Sequence, residues 1–147
     1  MIPRIIGYRH TGIIVNDIQK SLYFYRDILG FNVIQDYTDN SDYINKIVGL
    51  KNANIHMVKL EAPDRTIIEI VKYINHPTGN SENQFYNVGT CHIAFQINDA
   101  EKVWEKLNNH DVPVISKPIL SSENIAKVFF CIDPDGVRIE LVEMLEN

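Results

Sequence analysis

A repeat inside the chain constrains its fold more than any other feature. His10-Thr-Gly-Ile-Ile-Val-Asn-Asp17 aligns without gaps on His92-Ile-Ala-Phe-Gln-Ile-Asn-Asp99. Further along, Pro63-Asp-Arg-Thr-Ile-Ile-Glu69-Ile-Val aligns on Pro134-Asp-Gly-Val-Arg-Ile-Glu140-Leu-Val. Self-similarity of this kind means one supersecondary unit built twice, and it fixes the architecture before any local propensity is weighed. It also matches His10 to His92 and Glu69 to Glu140. Two imidazoles and two carboxylates make a full ligand set for one divalent metal.

Each copy reads as a strand, a helix and three further strands. Ile5 to Val15 is rich in Ile and Val and predicts a strand. Asn16-Asp17 then caps a helix from Ile18 to about Leu29, with Gly30 at its C-terminal stop. Strands follow over Phe31 to Tyr37, Ile55 to Leu60 and Thr66 to Lys72, with Pro63-Asp64 as a turn. The polar stretch 76–88 reads as a linker between a first module, 1–75, and a second, 89–147. In the second module Thr90 to Ile97 is a strand and Asp99 caps a helix to about Asn109. Val112 to Ile115, Lys127 to Ile132 and Val137 to Glu143 are the remaining strands, the last two joined at Asp133-Pro-Asp-Gly136. The copies differ where Asp42 to Asn52 predicts an extra helical turn, either a packed connection or a wall over a site. Ser116 to Asn124 stands in the corresponding place without periodicity.

Side chains alternate across a strand, so His10, Gly12 and Ile14 share a face, as do Ile67, Glu69 and Val71. In the second copy His92, Ala94 and Gln96 share a face, and so do Arg138, Glu140 and Val142. The opposite faces carry Ile13, Val15, Ile68 and Ile70, then Ile93, Phe95, Ile97, Ile139 and Leu141, and are where helices should pack. Glu69 interrupts the run Ile-Ile-Glu-Ile-Val. A buried carboxylate without a partner costs several kcal/mol, so it needs a partner, which a divalent cation would supply, and Glu140 needs one for the same reason. A lone strand His is more often structural than a ligand. Two of each at matched positions are hard to explain by surface placement.

Size and composition set the class. With 147 residues, 45% hydrophobic and 22% charged, the chain fits one compact globular domain. A net charge of −5 without a basic cluster excludes nucleic acid as an expected partner. The longest apolar runs are too short to span a bilayer, and no signal-peptide h-region opens the chain. Cys91 and Cys131 form no metal spacing and no disulfide framework, so a cytoplasmic protein is expected. Cys91 is expected to face the helix layer opposite His92, and Arg138 to pair with an acid near the sheet rim or to bind a substrate carboxylate. His56, His76 and His110 read as ordinary turn or surface residues, Trp104 as helix core. Phe85 and Tyr86 are placed to close over a ligand or a partner subunit.

The Phe24-Tyr-Arg-Asp-Ile-Leu-Gly-Phe31 stretch, the Cys91-His-Ile-Ala-Phe strand and Asp133-Pro-Asp-Gly-Val-Arg-Ile-Glu-Leu141 together resemble the vicinal oxygen chelate superfamily. That group includes glyoxalase I, methylmalonyl-CoA epimerase, bleomycin resistance proteins and extradiol dioxygenases. The resemblance covers nearly the whole chain. It implies an α+β fold in which two βαβββ modules form an open, curved, barrel-like mixed sheet with helices on the outer face. It implies one divalent ion (Ni, Co, Zn, Mn or Fe) held by His10, Glu69, His92 and Glu140, and a homodimer. The presence of Glu69 favours lyase or isomerase chemistry of the glyoxalase or epimerase type over the three-ligand ring-cleaving dioxygenases. In that chemistry the metal stabilises an enediolate of a small α-oxygenated thioester, ester or thiol conjugate. Glu140, and then Glu69, is the candidate for moving the proton. The alternatives are an Fe(II) ring-cleaving dioxygenase and a metal-free, ligand-sequestering resistance protein. The chain has Ile14 and Tyr73 where the bacterial glutathione-dependent glyoxalases carry Arg and Asn, which weighs against glutathione binding of that kind.

Overall fold

The computed structural model describes residues 2–79 and 84–145. The chain divides into two compact units, Met1–Gly79 and Asn80–Asn147. Of the expected linker 76–88, residues 80–83 lie outside the described residues.

The first unit runs β1 (Thr11–Ile14), α1 (Ile18–Leu22), a π-wound continuation of α1 (Tyr23–Ile28), β2 (Asn32–Asp39), α2 (Asp42–Val48), β3 (Ile55–Glu61) and β4 (Ile67–Tyr73). Its sheet has the order β1-β4-β3-β2 and is mixed, with β1 parallel to β4 and the other pairs antiparallel. The second unit runs β5 (Ile93–Ile97), α3 (Ala100–Asn109), β6 (Ile119–Leu120), β7 (Ala126–Ile132) and β8 (Arg138–Met144). Its sheet order, β5-β8-β7-β6, repeats the first, again with one parallel pair. Both sheets are open, and each strand order is that of a βαβββ module. No helix among the described residues is long and apolar enough to cross a membrane.

Local chemistry sets the helices. Asp17 caps α1 by accepting the Gln19 and Lys20 backbone N–H groups at 2.9 and 3.2 Å. Gly30, at φ +85°, ends the π-wound turn in a backbone conformation that glycine adopts without strain. Asp99 caps α3 through the Lys102 N–H at 3.0 Å, and Glu143 reaches from β8 to accept the Ala100 N–H at 2.9 Å.

The apolar strand faces are buried as their alternation predicts. Ile13, Val15, Val58, Leu60, Ile68 and Ile70 join Leu22, Phe24, Tyr25 and Ile28 in the first core, while Phe129, Ile139, Leu141 and Leu107 lie in the second. Burial of each such side chain contributes about 1.5–3 kcal/mol. Cys131 belongs to the second core, and burial pushes its thiol up to about 12.

Two expectations need correction. The first strand begins at Thr11, not Ile5, because Thr11 pairs with Ile68 and β4 itself starts only at Ile67. Among the described residues none before Thr11 has a strand paired beside it, and Ile5 and Ile6 are exposed. Val112 to Ile115 is reduced to a single bridge, Val114 to Cys131, and the edge pairing is completed by the two-residue β6. Pro113 and Pro118 lack the N–H that a continuous ladder needs. The extra helical turn, whose place the sequence left open, is α2, and it packs on the sheet face opposite the one that carries Ile13, Ile68 and Ile70. Its buried Ile44 packs on Ile55, Met57 and Val71, with Tyr37, Val48, Leu50 and Tyr73 around them. Those strand residues share the face of Glu69.

Candidate functional site

Each unit brings one matched His to its matched Glu. In the first, Gly12 of β1 pairs with Glu69 of β4, so His10, two residues earlier on the same face, stands over the carboxylate. His10 Nε2 is 3.7 Å from Glu69 Oε1. In the second, Ala94 pairs with Glu140, and His92 Nε2 is 3.0 Å from Glu140 Oε2. Both histidines lie just before the strand proper, and both glutamates are the third residue of theirs. The parallel β–β pairing created by the crossover helix makes this juxtaposition, once in each unit.

The donor chemistry suits a divalent ion. Two ligands each about 2.0–2.2 Å from one metal stand about 3–3.6 Å apart, close to both observed separations. Imidazole with carboxylate is a mixed nitrogen and oxygen set that Zn, Ni, Co, Mn or Fe(II) accepts. Each unit by itself offers two such donors. Among the described residues no group of three or more His, Cys, Asp and Glu side chains stands close enough to hold a metal.

Lys59 is the functional residue that sequence reasoning missed. It lies opposite Glu69 in the β3–β4 hairpin, with Nζ 3.6 Å from Glu69 Oε2. Both side chains are largely buried, 18% and 12% exposed. The two carboxylate oxygens are therefore divided, Oε1 toward the imidazole and Oε2 toward the ammonium. A signal for this pair was present: a hairpin turning at Asp64 pairs positions equally distant from it, and 59 and 69 are each five away. Tyr37 is on the same face, and its hydroxyl donates toward Met57 Sδ at 3.5 Å. Burial, then the negative charges of Glu69 and Asp39, raises the Tyr37 phenol above its usual range.

The surroundings of Glu140 differ. Phe130 takes the cross-strand position that Lys59 occupies beside Glu69, and its ring meets His92 edge-on at 5.4 Å. The Arg138 guanidinium is 3.4 Å from the Phe85 ring centroid and 5.9 Å from that of Phe130. Arg138 thus stacks between aromatic rings and, among the described residues, makes no ion pair with an acid, contrary to the expectation. Phe85 closes over Arg138, so part of the segment before β5 covers the Glu140 face. Cys91, two residues before β5 begins at Ile93, is exposed and not in the helix layer, contrary to the expectation. His56 is paired with Asp36 at 2.6 Å, His76 meets the Tyr73 ring, and Trp104 Nε1 donates to the Ser116 carbonyl at 3.1 Å.

Comparison with known proteins agrees with this architecture. A probable lactoylglutathione lyase of Synechocystis is 29% identical over 136 residues, spanning 91% of this chain and 92% of its own. A lactoylglutathione lyase of Escherichia coli O157:H7 is 27% identical over 138 residues, spanning 91% and 90%. Among solved structures, a glyoxalase family protein of Bacillus cereus superposes with a TM-score of 0.88 at 17% identity, covering 98% of this chain and 97% of its own. A fosfomycin resistance protein of Listeria monocytogenes, solved with Mn(II) and sulfate, gives 0.64 at 21% identity over 97% and 95%. At those identities the two structures speak for the fold. The model of the glyoxalase/bleomycin resistance protein/dioxygenase superfamily matches residues 7–141, and the chain belongs to that superfamily.

Proposed function

We propose that the chain is a metal-dependent lyase or isomerase of the glyoxalase or epimerase type. The observation that carries the reading is the duplicated His–Glu pair, at 3.7 Å in one unit and 3.0 Å in the other, on equivalent strands. Relatives named lactoylglutathione lyase, at 25–29% identity over most of the chain, support the same class. His10, Glu69, His92 and Glu140 are the proposed ligands of a divalent ion. Such an ion supplies Lewis-acid stabilisation of negative charge developing on adjacent substrate oxygens.

The protein's own groups divide the remaining work. Glu69 is the more buried carboxylate and is fixed between His10 and Lys59. Glu140 is more exposed, at 24%, and among the described residues pairs with His92 and with no lysine. Glu140 is therefore the carboxylate freer to take a proton from a substrate carbon and return it to the neighbouring one, a step typically worth ~10²–10⁴ in rate. The substrate is a small α-oxygenated ester, thioester or thiol conjugate. Ile14 is half-exposed and Tyr73 packs in the apolar cluster, so neither supplies the charged or amide contact expected for glutathione. Self-association belongs to the same reading, since β1, β2, β5 and β6 are edge strands, and light scattering would measure it.

Metal analysis of stripped and refilled protein, wild type beside Glu69→Ala, tests the proposal. The expected result is one equivalent of divalent metal per chain, held at least about tenfold more weakly by the variant. Undiminished iron binding by the variant, with oxygen consumed in the presence of a catechol, would favour the ring-cleaving alternative. Failure of the wild type to bind any metal would overturn the reading in favour of a ligand-sequestering protein.

A further inference from the structure

We propose that Lys59 and Gln35 form a subsite for an anionic group, a carboxylate or phosphoryl, carried by the substrate. The inference rests on the proposed function and narrows its substrate to an anion. One row of residues crosses the first sheet on a single face: Gly12, Glu69, Lys59 and Gln35, each paired with the next in register. At one end a side chain at Gly12 would meet nothing within 4 Å, so the space beside Glu69 is open. At the other end stand an ammonium and a carboxamide, both hydrogen-bond donors.

Gln35 owes its place to an irregularity. The register of β2 on β3 shifts between Val33 and Gln35, leaving Ile34 as the extra residue. A bulge of this kind re-aims the side chains beyond it, here bringing Gln35 opposite Lys59 and Tyr37 opposite Met57. Lys59 is largely buried, yet among the described residues its one ion-pair partner is Glu69 at 3.6 Å, longer than a hydrogen bond. The ammonium has three N–H donors, and no described side chain or carbonyl accepts from it at hydrogen-bond length. Once the Glu69 carboxylate is committed to a metal, Lys59 becomes a largely buried cation short of negative charge, a costly state that an incoming anion relieves. The apolar wall of Ile44, Met57 and Tyr37 beside the row lowers the local dielectric and strengthens that attraction.

The test separates charge from chelation. Succinate monohydroxamate offers vicinal oxygens to a metal and a free carboxylate, and its methyl ester offers the same oxygens at similar size without the charge. Calorimetric titration of the Mn(II)-loaded protein should show the acid binding about tenfold to hundredfold more tightly than the ester, the scale of a charge-assisted hydrogen bond. In Lys59→Met the acid and the ester should bind alike, whatever the change in their common affinity for the metal site. Lys59→Arg should keep most of the preference, and Lys59→Gln provides a polar variant should the methionine disturb folding. Equal binding of acid and ester by the wild type, or a preference that survives loss of the ammonium, overturns the inference while leaving the metal reading intact. Absence of Mn(II) uptake, read separately by electron paramagnetic resonance, overturns the metal reading and the inference with it.

Discussion

Glu69 and Glu140 occupy the same place in two copies of one unit, yet their neighbourhoods diverge. Each lies third in its strand, pairs with a small residue on the parallel neighbour, and faces a His two residues upstream. Across the antiparallel neighbour, Glu69 meets the Lys59 ammonium and Glu140 meets the Phe130 ring. The wall differs too. A helix, α2, packs on the Glu69 face, whereas beside Glu140 an arginine stacks between Phe85 and Phe130. Duplication preserves what backbone register dictates, the His–Glu pair. Cross-strand side chains are free to specialise, one copy toward holding charge and the other toward a more exposed carboxylate framed by aromatic rings.

The largest effects should come from the part of the comparison that is symmetric. Ile68 and Ile139 are repeat partners, both fully buried beneath their glutamates. Replacing either with Ala removes buried methyl and methylene groups and leaves a cavity, costing about 2–5 kcal/mol. Chemical denaturation should return similar losses for Ile68→Ala and Ile139→Ala. A cost below about 1 kcal/mol for one of them would show that the cores are not equivalent and that the repeat is a likeness of sequence more than of packing.

Next in size is the asymmetry between the carboxylates. Glu140→Gln should lower kcat on hemithioacetal or thioester substrates by about 100-fold, the lower range for loss of a general base. Glu69→Gln, which leaves its neighbour Lys59 without a carboxylate, should act first on metal affinity. Kinetics and metal titration on the same two variants check this together. If Glu69→Gln instead suppressed turnover with metal affinity retained, the roles of the two glutamates would be reversed.

The repeat is what made the site legible. Gapless alignment set the strands that His10 and His92 precede and that Glu69 and Glu140 lie on, and alternation set their faces. Lys59 has no counterpart in the repeat to mark it, although the turn at Asp64 pairs it with Glu69. The shortened β1 and the broken edge at Val112 to Ile115 escaped because their apolar composition favours strands while pairing depends on a neighbour. The first has no partner before Ile68, and the second loses donors at Pro113 and Pro118. The placement of α2 was open in sequence, since a helix with Ile44, Ile47 and Val48 on it can pack on either face of a sheet. The identity of the cross-strand partner of a ligand is the kind of detail that periodicity cannot supply, because it is set by the register of a different strand.

The smallest effects concern the two helix caps, again repeat partners. Asp17 accepts two backbone N–H groups, and Asp17→Ala should cost about 1 kcal/mol in denaturant unfolding. Asp99 accepts the Lys102 backbone N–H and also pairs with the Lys102 ammonium at 2.9 Å. Hydrogen bonding to that backbone and side chain, with their charge, holds the Asp99 carboxyl below the usual carboxylate range. A group whose folded value is depressed binds its proton more readily in the unfolded chain. Its stabilising contribution is therefore complete above the unfolded value of about 3.9 and is lost as pH falls through the folded one. Asp99→Asn keeps an acceptor oxygen but cannot titrate. Its stability should lie slightly below the wild type at neutral pH, and the gap should narrow as the pH falls below about 3.9. A gap that stayed constant down the acid limb would mean that the cap acts through geometry alone, and that the charge of Lys102 adds nothing to it.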